Sequence, residues 1–190
     1  LFPLLRAMPP DASRPGSGLD KVFYLAAKTP GRQLALDALE SLRAGMLGSP
    51  LGEGLPQVPL RVLELVARDK ACEHPDKACH GESCPLARGF YDRLSAARQA
   101  AVDAAGAGLL ARERVRAVAL QHQVCPYYLA QELARWADVV VGDYNYWFDT
   151  SALLFALTQM DGWRVAVLVD EAHNLVERAR SMYSAELEQG

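Results

Sequence analysis

Short, nearly continuous apolar runs alternate along the chain with longer stretches whose apolar residues recur every three or four positions. The first kind reads as buried strands and the second as helices with one face turned inward. Residues 1–8 have the apolar look of a helix that Pro9 and Pro10 stop, and 11–18 form a Pro/Gly/Ser loop. Val22-Phe23-Tyr24-Leu25-Ala26-Ala27 predicts a short buried strand. Thr29 before Pro30 predicts an N-cap with proline at the first helical position, and Leu34, Leu36, Leu39 and Leu42 carry that helix to Arg43. A loop follows over 45–59 and a second strand over 60–66. Residues 68–88 break the pattern: they are polar, hold three cysteines and two histidines, and have almost no large apolar side chain. Such a segment cannot build a core of its own and needs a staple. Residues 91–123 are rich in Ala and Arg and predict helix, interrupted near Gly106 and Gly108. Pro126 opens a helix through Trp136, 138–142 is a strand, 144–157 is helical, and 163–169 is the last strand. Strands alternating with helices predict an α/β domain with a mainly parallel sheet.

A length of 190 residues supports one domain, or one with a small insertion. The net charge of −3 gives no general case for nucleic-acid binding, so any such surface must be local. No apolar run approaches the roughly 18–20 residues of a membrane span. The apolar start, Leu1-Phe2-Pro3-Leu4-Leu5, lacks the basic region and cleavage site of a signal peptide. A cytoplasmic protein is therefore expected, with its four cysteines serving as metal ligands or free thiols rather than disulfides. The chain begins without Met and contains no G-x-x-x-x-G-K-[ST] phosphate loop. An excised fragment is expected, one that hydrolyses no ATP by itself.

The sharpest chemical signal is Asp170-Glu171-Ala172-His173, directly after Val165-Ala166-Val167-Leu168-Val169. A strand ending in adjacent carboxylates presents them at the carboxyl edge of a sheet, where open α/β folds place nucleotide and metal. Asp170 can hold Mg²⁺, and Glu171 can polarise the water that attacks the γ-phosphate of ATP. The cysteines Cys72, Cys79, Cys84 and Cys125 are spaced C-x6-C-x4-C-x40-C. Structural zinc sites usually show two short C-x2–4-C knuckles, which are absent, although His74 or His80 could complete a mixed site. Four thiolates can ligate a 4Fe–4S core. Four unrelated thiols are the plain alternative.

Lys28, Thr29 and Arg32 surround a predicted helix N-terminus, which attracts phosphate; as a cap alone, Thr29 would have a purely structural role. Arg88, Arg93, Arg98, Arg112, Arg114 and Arg116 could track a strand, but acidic neighbours favour a solvated helical face. Tyr127, Tyr128, Tyr144, Tyr146 and Trp147 could stack on bases, and each ring singly is more often a packing residue. Asn145, between two tyrosines, can order its loop by hydrogen bonding.

Cys125-Pro126-Tyr127-Tyr128-Leu129-Ala130, then 137–146 with its Tyr144-Asn145-Tyr146, then 167–174 with its Asp-Glu-Ala-His box, closely resemble the XPD/DinG-type iron–sulfur DNA helicases of superfamily 2. The resemblance runs from about residue 22 to 174 and is most specific in its second half. It implies a RecA-like P-loop NTPase motor domain in two parts, 1–66 and 126–190, with a mostly helical 4Fe–4S domain inserted at 67–125. It implies Cys72, Cys79, Cys84 and Cys125 as cluster ligands, Asp170 and Glu171 as the Mg-ATP carboxylates, and His173 as the link to a second motor domain. Lys28-Thr29-Pro30-Gly31-Arg32 would be the motif that touches single-stranded DNA, with Tyr144 and Asn145 as further DNA contacts. The activity the resemblance implies is ATP-dependent 5′-to-3′ movement along a single strand with unwinding of forked DNA, in repair or replication. A second motor domain and an arch domain of the same parent chain would be the partners, with no membrane, and a bacterial protein would associate with the nucleoid. The inner cysteine spacing matches neither the XPD branch nor the best-known DinG pattern, so the subfamily stays open. Two other readings stand beside this one: a zinc-stapled helicase-like ATPase, and a non-catalytic nucleic-acid-binding module that keeps the acidic turn.

Overall fold

The computed structural model describes residues 2–6, 8, 18–48, 60–106, 108–149 and 152–184. The loop expected at 11–18 lies outside them apart from Gly18, and the one expected at 45–59 lies outside them from 49 on. Helix α1 spans Phe2–Arg6, β1 Lys21–Leu25, α2 Thr29–Gly48, β2 Val62–Glu64 and α3 Arg68–Ala71. Then come α4 Phe90–Ala105, α5 Arg112–Gln121, α6 Pro126–Leu133, β3 Val139–Gly142, α7 Asn145–Phe148 and α8 Leu153–Asp161. The chain closes with β4 Val165–Val169, a 3₁₀ turn Ala172–Asn174 and α9 Leu175–Tyr183.

The four strands form one wholly parallel sheet in the order β2-β3-β1-β4. Strands β1 and β3 lie inside the sheet and are nearly all buried, which explains why they are continuous apolar runs rather than alternating ones. Alternate residues serve opposite faces. Val22, Val62, Val139 and Val141 pack with Leu5, Ala35, Leu36 and Leu39 of α1 and α2. Phe23, Leu25, Leu63 and Val140 join the apolar faces of α4, α5, α6 and α8. Helices of the 67–125 segment, through Leu94, Ala97, Val115 and Val118, thus share a core with the sheet. The sheet is sandwiched between two helical layers.

Several boundaries differ from the sequence reading, among them β2 and α6, which are shorter than expected. Helix α2 runs past Arg43 to Gly48, and Gly45 within it faces open space, so its lack of a side chain costs helix propensity without ending the helix. Thr29 is the first residue of α2 rather than the residue before it. The expected helix over 144–157 is two helices, separated at Asp149–Ala152, where Ala152 N–H turns back to the Asp149 carbonyl at 3.1 Å. Strand β4, read as buried, is half-exposed throughout, because among the described residues it pairs only with β1.

At the amino edge of the sheet, polar groups fix the register. The Arg164 backbone N–H and guanidinium all donate to Asp20, at 2.7–3.0 Å, and Arg61 grips Asp138 in the same manner. Arg164 holds the Asp20 carboxyl below its usual range. Lys21 is only 5% exposed, and its ammonium donates to the carbonyls of Ala134 (3.2 Å), Arg135 (2.8 Å) and Ala137 (2.5 Å). Those carbonyls follow the end of α6 and would otherwise lack donors. Burial pushes Lys21 down to about 8, against the pull of Asp138. Lys21→Met is expected to cost about 2 kcal/mol by leaving buried carbonyls unpaired; the midpoint of urea unfolding checks it.

Candidate functional site

The loops leaving β1, β3 and β4 meet at the carboxyl edge of the sheet, where chain order reverses on either side of β1. This is the position at which doubly wound sheets hold ligands. Asp170 continues the β4 ladder, its N–H donating to the Leu25 carbonyl at 2.8 Å. The next residue, Glu171, sits in the left-handed region (φ 47°, ψ 50°), which ends the strand abruptly and leaves its carboxylate exposed. A non-glycine residue held there is strained by about 1–3 kcal/mol and must be held by its surroundings. Two groups do so. Asn174 closes the turn, with its N–H on the Glu171 carbonyl (2.9 Å) and its amide on Glu171 Oε2 (3.1 Å). The Tyr144 hydroxyl donates to the carbonyl of Asp170 and lies 3.2 Å from that of Glu171. His173 is exposed within the 3₁₀ turn.

The Asp170 carboxylate lies between Tyr24 and the first turn of α2. Its charge also acts on the Tyr24 phenol, whose pKa is raised first by burial and then by this negative charge. A Cβ placed on Gly31 would stand 2.7 Å from Asp170 Oδ2 and 3.2 Å from Ala26 Cβ. Glycine at 31 is therefore a matter of close approach: it brings the N-terminal turn of α2, with its unpaired N–H groups and positive dipole end, against the carboxylate. Gly31→Ala is expected to push the Asp170 side chain or the first turn of α2 aside, because a Cβ cannot stand 2.7 Å from Asp170 Oδ2, and to cost about 1–3 kcal/mol, as overpacking does; thermal melting checks it.

The expected strand contacts divide into two groups. Lys28, Thr29 and Asn145 are exposed at this edge. Arg32 and Tyr144 are not: Arg32 is 4% exposed and Tyr144 fully buried. Arg32 donates to the Ala26 carbonyl (3.3 Å) and to Thr29 Oγ1 (3.0 Å), and lies 3.8 Å from Asp143. Both side chains are thus engaged inside the fold, unlike Lys28, Thr29 and Asn145. Trp147 packs against Phe23 and Phe155, and Tyr146 donates to the Val66 carbonyl at 2.8 Å. Much of the basic series is also engaged within the protein: Arg116 holds Glu73 through two bonds of 2.7 and 2.8 Å, Arg114 holds the Ala104 carbonyl, and Arg93 holds those of Arg88 and Gln123.

A groove of about 460 Å³ opens beside Asn145, lined also by Arg68, Lys70, Tyr127, Gln131 and Tyr146. It runs from the sheet edge toward the cysteines. All four are free thiols; Cys79 is exposed and the others are half-buried. Burial pushes the Cys125 thiol up, the backbone N–H groups of Tyr128 and Tyr127 draw it back, and Cys72 and Cys84 are near enough to act on it electrostatically. Among the described residues no three His, Cys, Asp or Glu side chains converge as a metal-holding group.

Asp143, Arg178 and Tyr24 escaped the sequence reading, and Gly31 entered it only as part of the motif at 28–32, without its contact to Asp170. Asp143 alone carried a signal, as the first polar residue after an apolar strand.

A parallel α/β sheet with an acidic turn at its carboxyl edge, packed against a helix N-terminus, defines a RecA-like nucleotide-hydrolase motor domain, present here in part. The chain belongs to the DEAD_2 family, whose profile matches residues 56–190, and so to the XPD/DinG-type helicases of superfamily 2. It is 29% identical over 137 residues to a regulator of telomere elongation helicase 1 homolog of Anopheles gambiae, covering 66% of this chain and 14% of that protein. It is 34% identical over 67 residues to the human regulator of telomere elongation helicase 1, covering 35% of this chain and 5% of that protein. It is 36% identical over 64 residues to the ATP-dependent DNA helicase CHL1 of Saccharomyces cerevisiae (strain YJM789), covering 34% and 7% respectively. The chain thus spans a small part of the length of these relatives.

Proposed function

We propose that these residues form part of the first motor domain of an ATP-dependent DNA helicase that moves 5′ to 3′ along a single strand and opens forked duplexes. The observation that carries this reading is the contact of the Asp170 carboxylate with the glycine turn of α2. It brings the acidic turn to the same helix start as the exposed Lys28 and Thr29. Asp170 and Glu171 fit a hard cation, which is commonly held by one or two carboxylates together with substrate phosphates. Asp170 would hold Mg²⁺, which would supply charge neutralisation at the phosphates. Glu171, exposed and fixed by Asn174, would orient the attacking water and accept its proton. Lys28, Thr29 and Asn145 would hold the strand by its backbone, and the groove beside Asn145, with Arg68, Lys70 and Tyr127, would continue its path. His173 would report the state of the site to a second motor domain.

The donor set at the cysteines suits a thiolate-bound cluster: four free thiols, with two backbone N–H groups directed at Cys125. Cys72, Cys79, Cys84 and Cys125 would hold a 4Fe–4S cluster, which would staple the polar 68–88 segment to α6. The experiment has two readouts. The parent protein is expected to show ATP hydrolysis stimulated by single-stranded DNA and displacement of one strand from a fork with a 5′ tail. Anaerobically purified protein is expected to hold about four irons per chain, in line with four thiolate ligands. Strand binding without hydrolysis would favour the non-catalytic reading, and one zinc without iron would favour the zinc-stapled ATPase.

A further inference from the structure

Asp143 joins three elements that the proposed motor has to move together. It leaves the end of β3 and accepts Asn145 N–H at 3.1 Å, which fixes its own loop. Arg178 Nη2 of α9 donates to both of its oxygens, at 2.9 and 2.8 Å. Arg32 of α2 approaches Oδ2 at 3.8 Å. The Asp143 side chain is 19% exposed and that of Arg32 5%, so their attraction is screened less than that of a surface pair. The other side of Arg32 holds Thr29 Oγ1, and α9 follows the acidic turn after only the short 3₁₀ segment. The route therefore reads Thr29, Arg32, Asp143, Arg178, α9, Glu171. Among the described residues, Arg32 Nε and Arg178 Nε are buried without a partner, so each guanidinium keeps one donor for a second arrangement of the grip.

We infer that Asp143 is a positioning residue that couples the strand-binding start of α2 to the acidic turn, so that DNA bound at Thr29 sets the placement of Glu171. Asp143 and Arg178 border the groove beside Asn145, but the Asp143 carboxylate is taken up by Arg32, Arg178 and Asn145 N–H; in this scheme it acts through the two arginines. The inference rests on the helicase reading above. Coupling of this kind corresponds to a change of roughly 5–150-fold between sites.

The test uses the full-length parent protein. Asp143→Asn keeps the oxygen that accepts Asn145 N–H and removes the charge that both arginines hold. ATP turnover without DNA is expected to stay within about twofold, while stimulation by a single-stranded oligonucleotide falls about tenfold. Arg178→Met, at the more exposed end of the route, is expected to do the same, and the double variant is expected to be no worse than either single one. Affinity for the oligonucleotide, measured separately, is expected to change less than about twofold; a loss of affinity that accounts for the lost stimulation, unchanged stimulation, equal loss of basal and stimulated turnover, or additive losses would each overturn the inference. If Asp143→Asn fails to fold, Arg178→Met decides alone. A wild-type parent protein that single-stranded DNA does not stimulate would sink the helicase reading instead.

Discussion

Glu171→Gln in the parent protein is expected to lower ATP turnover by at least about a hundredfold, the scale of a lost general base. Its melting temperature is expected to move by no more than about 2 °C, as for an exposed substitution outside the core. The separation follows from where the residue sits. The Glu171 carboxylate is exposed, and its only described side-chain bond is the one accepted from Asn174. Glutamine keeps an oxygen for that bond and adopts the same backbone region at similar cost. Only the ability to take a proton is lost. Turnover under saturating DNA, with melting followed by circular dichroism, checks both halves. Activity near wild type would remove Glu171 from the chemistry and return the acidic turn to a structural feature.

Tyr144 is the opposite case, a residue whose loss is expected to reach the whole fold. Tyr144→Ala is expected to cost about 3–5 kcal/mol, as large-to-small changes of buried aromatic residues do. The ring is fully buried in the core layer that includes Phe23 and Leu154, and it meets Phe148 edge-on at 6.5 Å. Tyr144→Phe keeps the packing and removes the hydroxyl that serves the Asp170 and Glu171 carbonyls, for about 1–2 kcal/mol. That variant is expected to lose turnover out of proportion to its stability, because the left-handed Glu171 then lacks one of its two restraints. Denaturant unfolding and turnover assays, run on both variants, separate the packing contribution from the restraint. A Tyr144→Phe variant that matches wild type in both stability and turnover would show that the hydroxyl does nothing.

The fold was legible wherever burial on both sides left an unbroken apolar run. Val139–Gly142 and Lys21–Leu25 could be read because interior parallel strands tolerate no polar face, with Lys21 the exception that caps a helix. The carboxylate turn was legible for the same reason, since it interrupts such a run. Helix ends were less so: Gly45 looked like a stop, yet α2 already had an apolar stripe against the sheet, and packing outweighed the local propensity. Contacts between distant parts of the chain had no local signal. Gly31 meets Asp170, and Asp143 meets Arg178, through strand order and crossover geometry rather than sequence neighbourhood. Arg32 misled because a charged side chain beside a helix start reads as exposed, while here it lies beneath the helix and takes acceptors from Ala26 and Thr29.

Strand β4 has a practical consequence for handling the isolated polypeptide. Val165-Ala166-Val167-Leu168-Val169 carries no charge, no proline and no bulge, and among the described residues one side of its backbone has no strand beside it. Natural sheets guard such borders with lysine, proline or a covering segment, because a bare one templates growth by further strands. Concentrating these 190 residues alone therefore favours stacking of molecule upon molecule through the very strand that delivers the acidic turn. Soluble aggregates would then conceal Asp170 and Glu171 at the junction between copies, and an inactive preparation would report on colloidal state before it reported on chemistry.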